Sequence, residues 1–220
     1  MLEPIFFQFL KNLEQNNNKE WFDQNRTVYE KDIKKPFEEF TIALGNEINK
    51  FDAEIAGDFK KSIFRINRDI RFSKNKDPYK NNRSAAFSLN GKKDHDSPGY
   101  YIELGANRCA IAGGAWSPSP EKLYKIRSEI YYHTEEFYEL LSDKNFQSTF
   151  RDVLGEKSKK LPKDIADWTN DSEYIFNKQY YFWMEFDQKE ALKPDFYKLA
   201  AKWFSHGYAM NQFFRRAMRD

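Results

Sequence analysis

The chain has 220 residues, with 36 Lys+Arg against 34 Asp+Glu for a formal net charge of +2, and it carries 21 Phe, 13 Tyr and 5 Trp. That aromatic load excludes disordered, collagen-like and coiled-coil chains, and no stretch reaches the roughly 18–20 uncharged apolar residues of a membrane span. The single cysteine, Cys109, excludes an intrachain disulfide framework and fits a reducing cytoplasm, and the opening MLEPIFFQFL has no basic region of the kind that starts a signal peptide. The chain therefore reads as a soluble cytoplasmic protein forming one domain over residues 1–220, with no membrane partner.

From the N-terminus, Ile5, Phe6, Phe9, Leu10 and Leu13 predict a helix over 3–15 with one apolar stripe. Asn16–Asn18 stop it, and Asn17 or Asn18 is placed to cap a second helix from Lys19 to about Asn49. Pro36 removes a backbone donor inside that second helix, so a kink or restart is expected there. Strands follow near 62–68, 84–89, 99–104 and 108–113, with turns at Asn90-Gly91 and Gly105-Ala106-Asn107. Short connections between them imply an antiparallel meander. A helix capped by Ser119 runs from Pro120 to Tyr132, and a polar stretch from 134 to 172 is helical in short pieces. The aromatic run within 178–186 predicts a fifth strand, and Pro194 opens a closing helix. Helices, then strands, then helices give an α+β fold: a mainly antiparallel sheet of about five strands covered by N-terminal, central and C-terminal helices.

The low net charge hides an uneven distribution. Between Phe59 and Arg83, nine cations stand against Asp69 and Asp77, a net +7 that leaves −5 on the other 195 residues. In a strand, Arg65, Asn67, Asp69 and Arg71 would share one face, with Phe64, Ile66, Ile70 and Phe72 on the other. Arg68 would then fall on the apolar face and need a partner or a local twist. Guanidinium groups present paired donors that match carboxylate or phosphate. Lys76, Tyr79 and Lys80, on a loop set by Pro78, add ammonium and phenol donors.

Other motifs carry less. Asp94-His95-Asp96 reads as a hydrated hairpin tip, and Cys109 as a small buried side chain. Ser73-Lys74-Asn75-Lys76 matches a Ser-x-x-Lys pattern expected by chance in a chain so rich in lysine, and it lies in a loop rather than on a helix. Gly113-Gly114 lacks the companions of a phosphate loop. Neither a metal site nor a cofactor is read from the sequence.

Arg68-Asp69-x-Arg71-Phe72-Ser73-x-x-Lys76-x-Pro78-Tyr79-Lys80 resembles the signature box of a widespread bacterial and fungal family of uncharacterised proteins, a domain of unknown function. The run Asn16-Asn17-Asn18-Lys19-Glu20-Trp21-Phe22, followed by Asn25-Arg26 and Tyr29-Glu30, resembles that family's other hallmark. Phe64-Arg65, Gly113-Gly114 with Trp116, and Arg127 fit it too, while Asn81 stands where a threonine is usual. The resemblance implies an α+β single domain and supplies no activity.

Asn25 and Tyr29 lie four residues apart on one helix face, with Arg26 beside them, and this face is expected to pack against the box as one pocket. The expected ligand-binding set is Asn25, Arg26, Tyr29, Arg65, Arg68, Arg71, Ser73, Lys76, Tyr79 and Lys80, with Asp69 and Tyr79 as the nearby acid–base candidates. Three readings follow: an enzyme or binding domain for a small anionic ligand that bears phosphate or carboxylate, a nucleic-acid-binding module, or a structural or interaction protein whose box is an internal salt-bridge network. The first is preferred. Nothing in the residues sets the oligomeric state.

Overall fold

The computed structural model describes residues 2–168 and 172–219. Residues 169–171, part of the polar stretch expected to be helical in short pieces, lie outside the described residues. Helix α1 (Pro4–Gln15) starts with proline in its first turn and buries Phe6, Phe7, Phe9, Leu10 and Leu13. Asn18 caps α2 (Lys19–Gln24), its side chain accepting from the Trp21 amide at 2.9 Å. The long helix expected to follow comes in pieces: α2, the single turn α3 (Arg26–Val28), a π-helical turn over Tyr29–Lys34, and α4 (Lys35–Phe51). Pro36 stands in the first turn of α4, and the Lys35 amide reaches back to the Glu30 carbonyl, five residues away. The wider spacing steps past the donor that proline lacks, so the restart comes as a π turn just ahead of Pro36.

The sheet has four antiparallel strands in the order β1 (Asn82–Phe87), β2 (Gly99–Gly105), β3 (Cys109–Ala115) and β4 (Tyr180–Phe186). A tight hairpin joins β2 to β3, closed by the Gly105 amide on the Arg108 carbonyl at 2.8 Å. The remaining helices are α5 (Pro120–Tyr132), α6 (Thr134–Ser142), α7 (Lys144–Thr149), α8 (Gln188–Ala191), α9 (Phe196–His206) and α10 (Tyr208–Ala217). The chain divides into two compact units. One holds Met1–Phe87, Tyr101–Ile111 and Glu185–Ala201; the other holds Ser88–Tyr100, Ala112–Met184 and Lys202–Asp220.

The expected strand at 62–68 is a correction: among the described residues the sheet has four strands, not five. Ile63 and Asn67 make only isolated bridges, to Ala85 and Tyr79. Four steps of chain from Ile63 to Asn67 thus face six from Tyr79 to Ala85, and the two extra residues bulge out of the ladder between Lys80 and Ser84. Alternation fails beyond it, and Phe72, expected on an apolar face, is 96% exposed.

In the first unit, the stripes of α1 and α4 bury Phe6, Leu10, Phe37, Leu44 and Ile48 with Ala85, Phe87, Ile102 and Leu104. In the second, Phe146, Phe150 and Phe182 cluster, with Phe150 and Phe182 at 4.6 Å between ring centroids. Gly114 lies in the left-handed region at φ +97°, where a Cβ would collide with the Tyr180 carbonyl. Its amide, turned out of the ladder, donates at 2.9 Å to Oδ1 of Asn211, whose Nδ2 donates at 3.0 Å to the Gly99 carbonyl. One fully buried α10 side chain therefore satisfies backbone on two strands.

Candidate functional site

The site begins with how the basic segment closes on itself in the first unit. The Lys80 amide donates to the Ile66 carbonyl at 2.8 Å, and the Arg68 amide to the Pro78 carbonyl at 2.9 Å, bringing the ends of a loop together. Inside the loop, the Ser73 amide turns back to the Ile70 carbonyl at 3.3 Å. The Asn75 side chain accepts from the Asp77 amide at 2.7 Å, and Lys76 Nζ donates to the Ile70 carbonyl at 3.0 Å. Arg68 reaches Ser73 Oγ at 3.3 Å and the Asp77 carbonyl at 3.2 Å, with the Asp77 carboxylate at 3.9 Å. Arg71 holds Asp69 through two bonds of 3.0 and 2.7 Å, which keep that carboxyl below its ordinary pKa. Arg68, Arg71 and Lys76 are thus engaged within the loop, and their contacts shape it.

The two hallmark motifs meet at Tyr79. Asn17, the asparagine not used as the helix cap, accepts from the Tyr79 amide at 3.1 Å and donates to the Tyr79 carbonyl at 2.9 Å. The Tyr79 ring stacks on Phe22 of α2 with centroids 4.1 Å apart and planes within 15°. Burial raises the phenol pKa of Tyr79 above its ordinary value, so it stays protonated at neutral pH.

Beside this junction lies a cleft of about 510 Å³. Glu14 at the end of α1 and Asn17 form one wall, and Arg68, Asn75, Asp77, Tyr79 and Lys80 form another. Asn81, Asn82 and Ser84 of the entry into β1, with Tyr101 of β2, complete the lining. Of the acids near it, Glu14 accepts from Asn81 at 2.6 Å and from Asn107 at 2.7 Å, Glu103 accepts from Tyr101 Oη at 2.9 Å and Arg108 at 2.7 Å, and Asp77 faces Arg68 at 3.9 Å. Arg68 is held more loosely, by the long contacts already given.

Of the residues expected from the sequence, Arg68, Tyr79 and Lys80 line the cleft. Ser73 and Lys76 brace the loop, while Arg71 and Asp69 form their pair at its exposed end. Arg65 is exposed on the segment opposite the bulge. The direct contacts with the helical motif run through Asn17 and Phe22, and the helix residues named in advance stand behind them. Arg26 lies over the Phe22 ring at 5.5 Å, within electrostatic reach of Tyr79, and none of the three is in the described lining of the cleft. Asn25 donates to the Trp21 carbonyl at 2.9 Å, Arg26 pairs with Asp23 at 2.5 Å, and Tyr29 is buried against Phe9 and Phe22. Among the described residues, no group of His, Cys, Asp and Glu is placed to hold a metal ion. The Asp94 and Asp96 carboxylates instead accept from the Ser97 and Ser119 amides.

Sequence reasoning missed the amide wall and one arginine. Asn17, Asn75, Asn81 and Asn107 do not stand out in an Asn-rich chain, and only Asn75 and Asn81 lie in or beside the box in sequence. Arg83, counted among the basic residues, is 3% exposed and lies over the Phe37 and Tyr29 rings at 5.4 and 5.9 Å. Its Nε and Nη1 meet no hydrogen-bond partner among the described residues, and burial lowers its pKa.

This is an α+β protein whose closed basic loop forms one wall of a polar cleft. The chain belongs to the conserved hypothetical protein family DUF2461, whose family model matches residues 5–213. Comparison with curated proteins and with solved structures finds no match. Among the described residues no helix is long and apolar enough to cross a membrane.

Proposed function

We propose that the cleft binds a small polar molecule bearing a phosphate or carboxylate, with Arg68 as its main anion contact and Lys80 beside it. The observation that carries this reading is the state of Arg68. Its guanidinium lines the cleft, yet its nearest carboxylate stands 3.9 Å away and its hydrogen bonds run to 3.2 and 3.3 Å. A bidentate anion would offer it shorter, charge-assisted bonds. Of the two acids lining the cleft, Glu14 is already bonded to two asparagine amides and offers little to a cationic ligand, while Asp77 faces Arg68 at 3.9 Å. Asn17, Asn81, Ser84 and Tyr101 are suited to hydroxyl or amide groups on the remainder of the molecule.

The reading is one of binding. Asp69 is ionised and held by Arg71, and Tyr79 is protonated, so neither acid–base candidate titrates near neutral pH. The test is a thermal-shift and calorimetric titration with inorganic phosphate, ribose 5-phosphate, a nucleoside monophosphate and citrate. A saturable rise in melting temperature is expected for at least one of them, because a ligand bound only by the folded state adds RT ln(1 + [L]/Kd) to stability. Arg68→Ala should abolish that rise. No response to any of the four at millimolar concentration, or an undiminished response in Arg68→Ala, would overturn the assignment.

A further inference from the structure

Phe72 is a phenylalanine that the fold does not use. Its side chain is 96% exposed at the outer end of the closed loop, so its apolar surface contributes nothing to the core. The loop does not leave it there by being loose. The backbone turn at Ile70–Ser73, the Lys76 contact on Ile70 and the Arg71–Asp69 pair fix the segment on both sides of the ring. Arg71 lies over the Phe72 ring with its guanidinium carbon 5.9 Å from the centroid. Five cations and one carboxylate lie between Arg65 and Lys76, and neither Arg65 nor Lys74 makes a hydrogen bond or an ion pair among the described residues. A presented aromatic ring beside an arginine, on a segment with a net positive charge and two cations outside any ion pair, is the combination that holds single-stranded nucleic acid, where a base stacks on the ring and its phosphates meet the cations.

We propose that this loop end binds single-stranded nucleic acid, with one base stacked on Phe72 and the backbone phosphates met by Arg65, Arg71 and Lys74. The two other aromatic rings between Ile63 and Lys80, Phe64 and Tyr79, are taken up within the fold. Tyr79 is already stacked on Phe22, while Phe64 packs with Tyr101 and lies under Lys80 Nζ at 5.1 Å. An anionic membrane surface shares the chemistry of the cations but fits less well. Inserting Phe72 would carry the Arg71–Asp69 pair toward hydrocarbon, at a heavy desolvation cost, whereas stacking on a base leaves that pair in water. The proposal stands on residues at the loop end and does not depend on the cleft having a ligand.

The test is fluorescence anisotropy of the full chain with labelled 12-nucleotide oligo-dT and oligo-U across a salt series. Saturable binding that weakens with salt is expected, with a log–log slope that falls by about 0.7 for each of Arg65→Ala and Lys74→Ala. Phe72→Ala should weaken binding about 10-fold or more, with Phe72→Trp restoring it. The circular-dichroism melt of each variant should match that of the wild type, because the ring is outside the core. Absence of saturable binding, or equal binding by Phe72→Ala, would overturn the proposal. So would Phe72-dependent binding to vesicles of 70% phosphatidylcholine and 30% phosphatidylserine without oligonucleotide binding, which would reassign the loop end to membranes. The response to small anions is measured separately on the same variants, and its loss in Arg68→Ala with oligonucleotide binding retained leaves both readings standing.

Discussion

Asn17 and Tyr79, 62 residues apart in sequence, are joined as two paired strand residues would be: the side-chain amide of one both accepts from and donates to the backbone of the other, at 3.1 and 2.9 Å. This pairing fastens the closed loop to the turn between α1 and α2 and sets the position of the Tyr79 ring against Phe22. Both walls of the cleft include a member of the pair.

Asn17→Ala removes both bonds at once. At about 1 kcal/mol for each bond, a loss of about 1–3 kcal/mol is expected in urea unfolding, read as a lower midpoint. Trypsin should also cut faster at Lys74 and Lys76, since opening of the loop no longer requires breaking its anchor. Unchanged protection at these lysines would separate the anchor from the loop's own closure.

Arg83 makes the opposite prediction. Its guanidinium is buried over Phe37 and Tyr29, with no ion pair within 4.0 Å among the described residues. Burying a charge without close compensation costs several kcal/mol, and a methionine of similar length fills the same space. Arg83→Met is expected to raise unfolding stability by about 1–4 kcal/mol, whereas Arg83→Ala leaves a cavity and lowers it. A lower melting temperature for Arg83→Met would show that the rings and the more distant Glu30 and Glu38 compensate the charge fully.

Gly114 and Asn211 form a second unit of dependence. Asn211→Ala strands the Gly114 amide and the Gly99 carbonyl in a buried setting, for an expected loss of about 2–5 kcal/mol by chemical denaturation. Gly114→Ala adds a positive-φ penalty to a collision with backbone, and should yield little folded protein by circular dichroism. Recovery of folded protein in Gly114→Ala would mean that the strand can shift away from Tyr180.

His206 sets an acid limit. Burial, with Lys202 adding to it and Asp143 opposing, holds its pKa below the ordinary 6.5, and its Nδ1 contacts Thr149 Oγ1 at 2.7 Å. Below about pH 6.5 the unfolded chain takes up a proton that the folded chain resists, so stability falls as pH drops from there toward the lowered folded value. The melting temperature should decline between pH 7 and 5.5, and His206→Gln should flatten that decline.

What the sequence revealed divides along the range of the forces involved. Helix α1, the Asn18 and Ser119 caps, the Gly105–Asn107 hairpin and the aromatic β4 were legible because each rests on local pattern and turn chemistry. The strand expected at 62–68 failed because register is a property of two segments: nothing within 62–68 reveals that two additional residues stand opposite. Pro36 announced a break but not its form, since a π turn depends on what Tyr29 and Ile33 find to bury against. Arg68, Tyr79 and Lys80, singled out by charge and motif, line the cleft. Asn17, Glu14 and Asn107 were not singled out for the site, because their roles come from bonds spanning 62 and 93 residues. Arg83 and the buried Arg127 and Arg215 run against the rule that places guanidinium groups in water, so composition counted them as surface charge.

The closure of the loop between Ile66 and Lys80 has a practical consequence. Its ends lie one hydrogen bond apart, and the side chains from Asp69 to Lys76 bond chiefly to one another rather than to the core. Such a segment behaves as a cassette: a different tip can be spliced between the same two ends while Asn17 continues to hold Tyr79 in place. Relatives with other residues at Phe72 and Lys74 would keep the scaffold and exchange the fingertip, and an engineer could do the same.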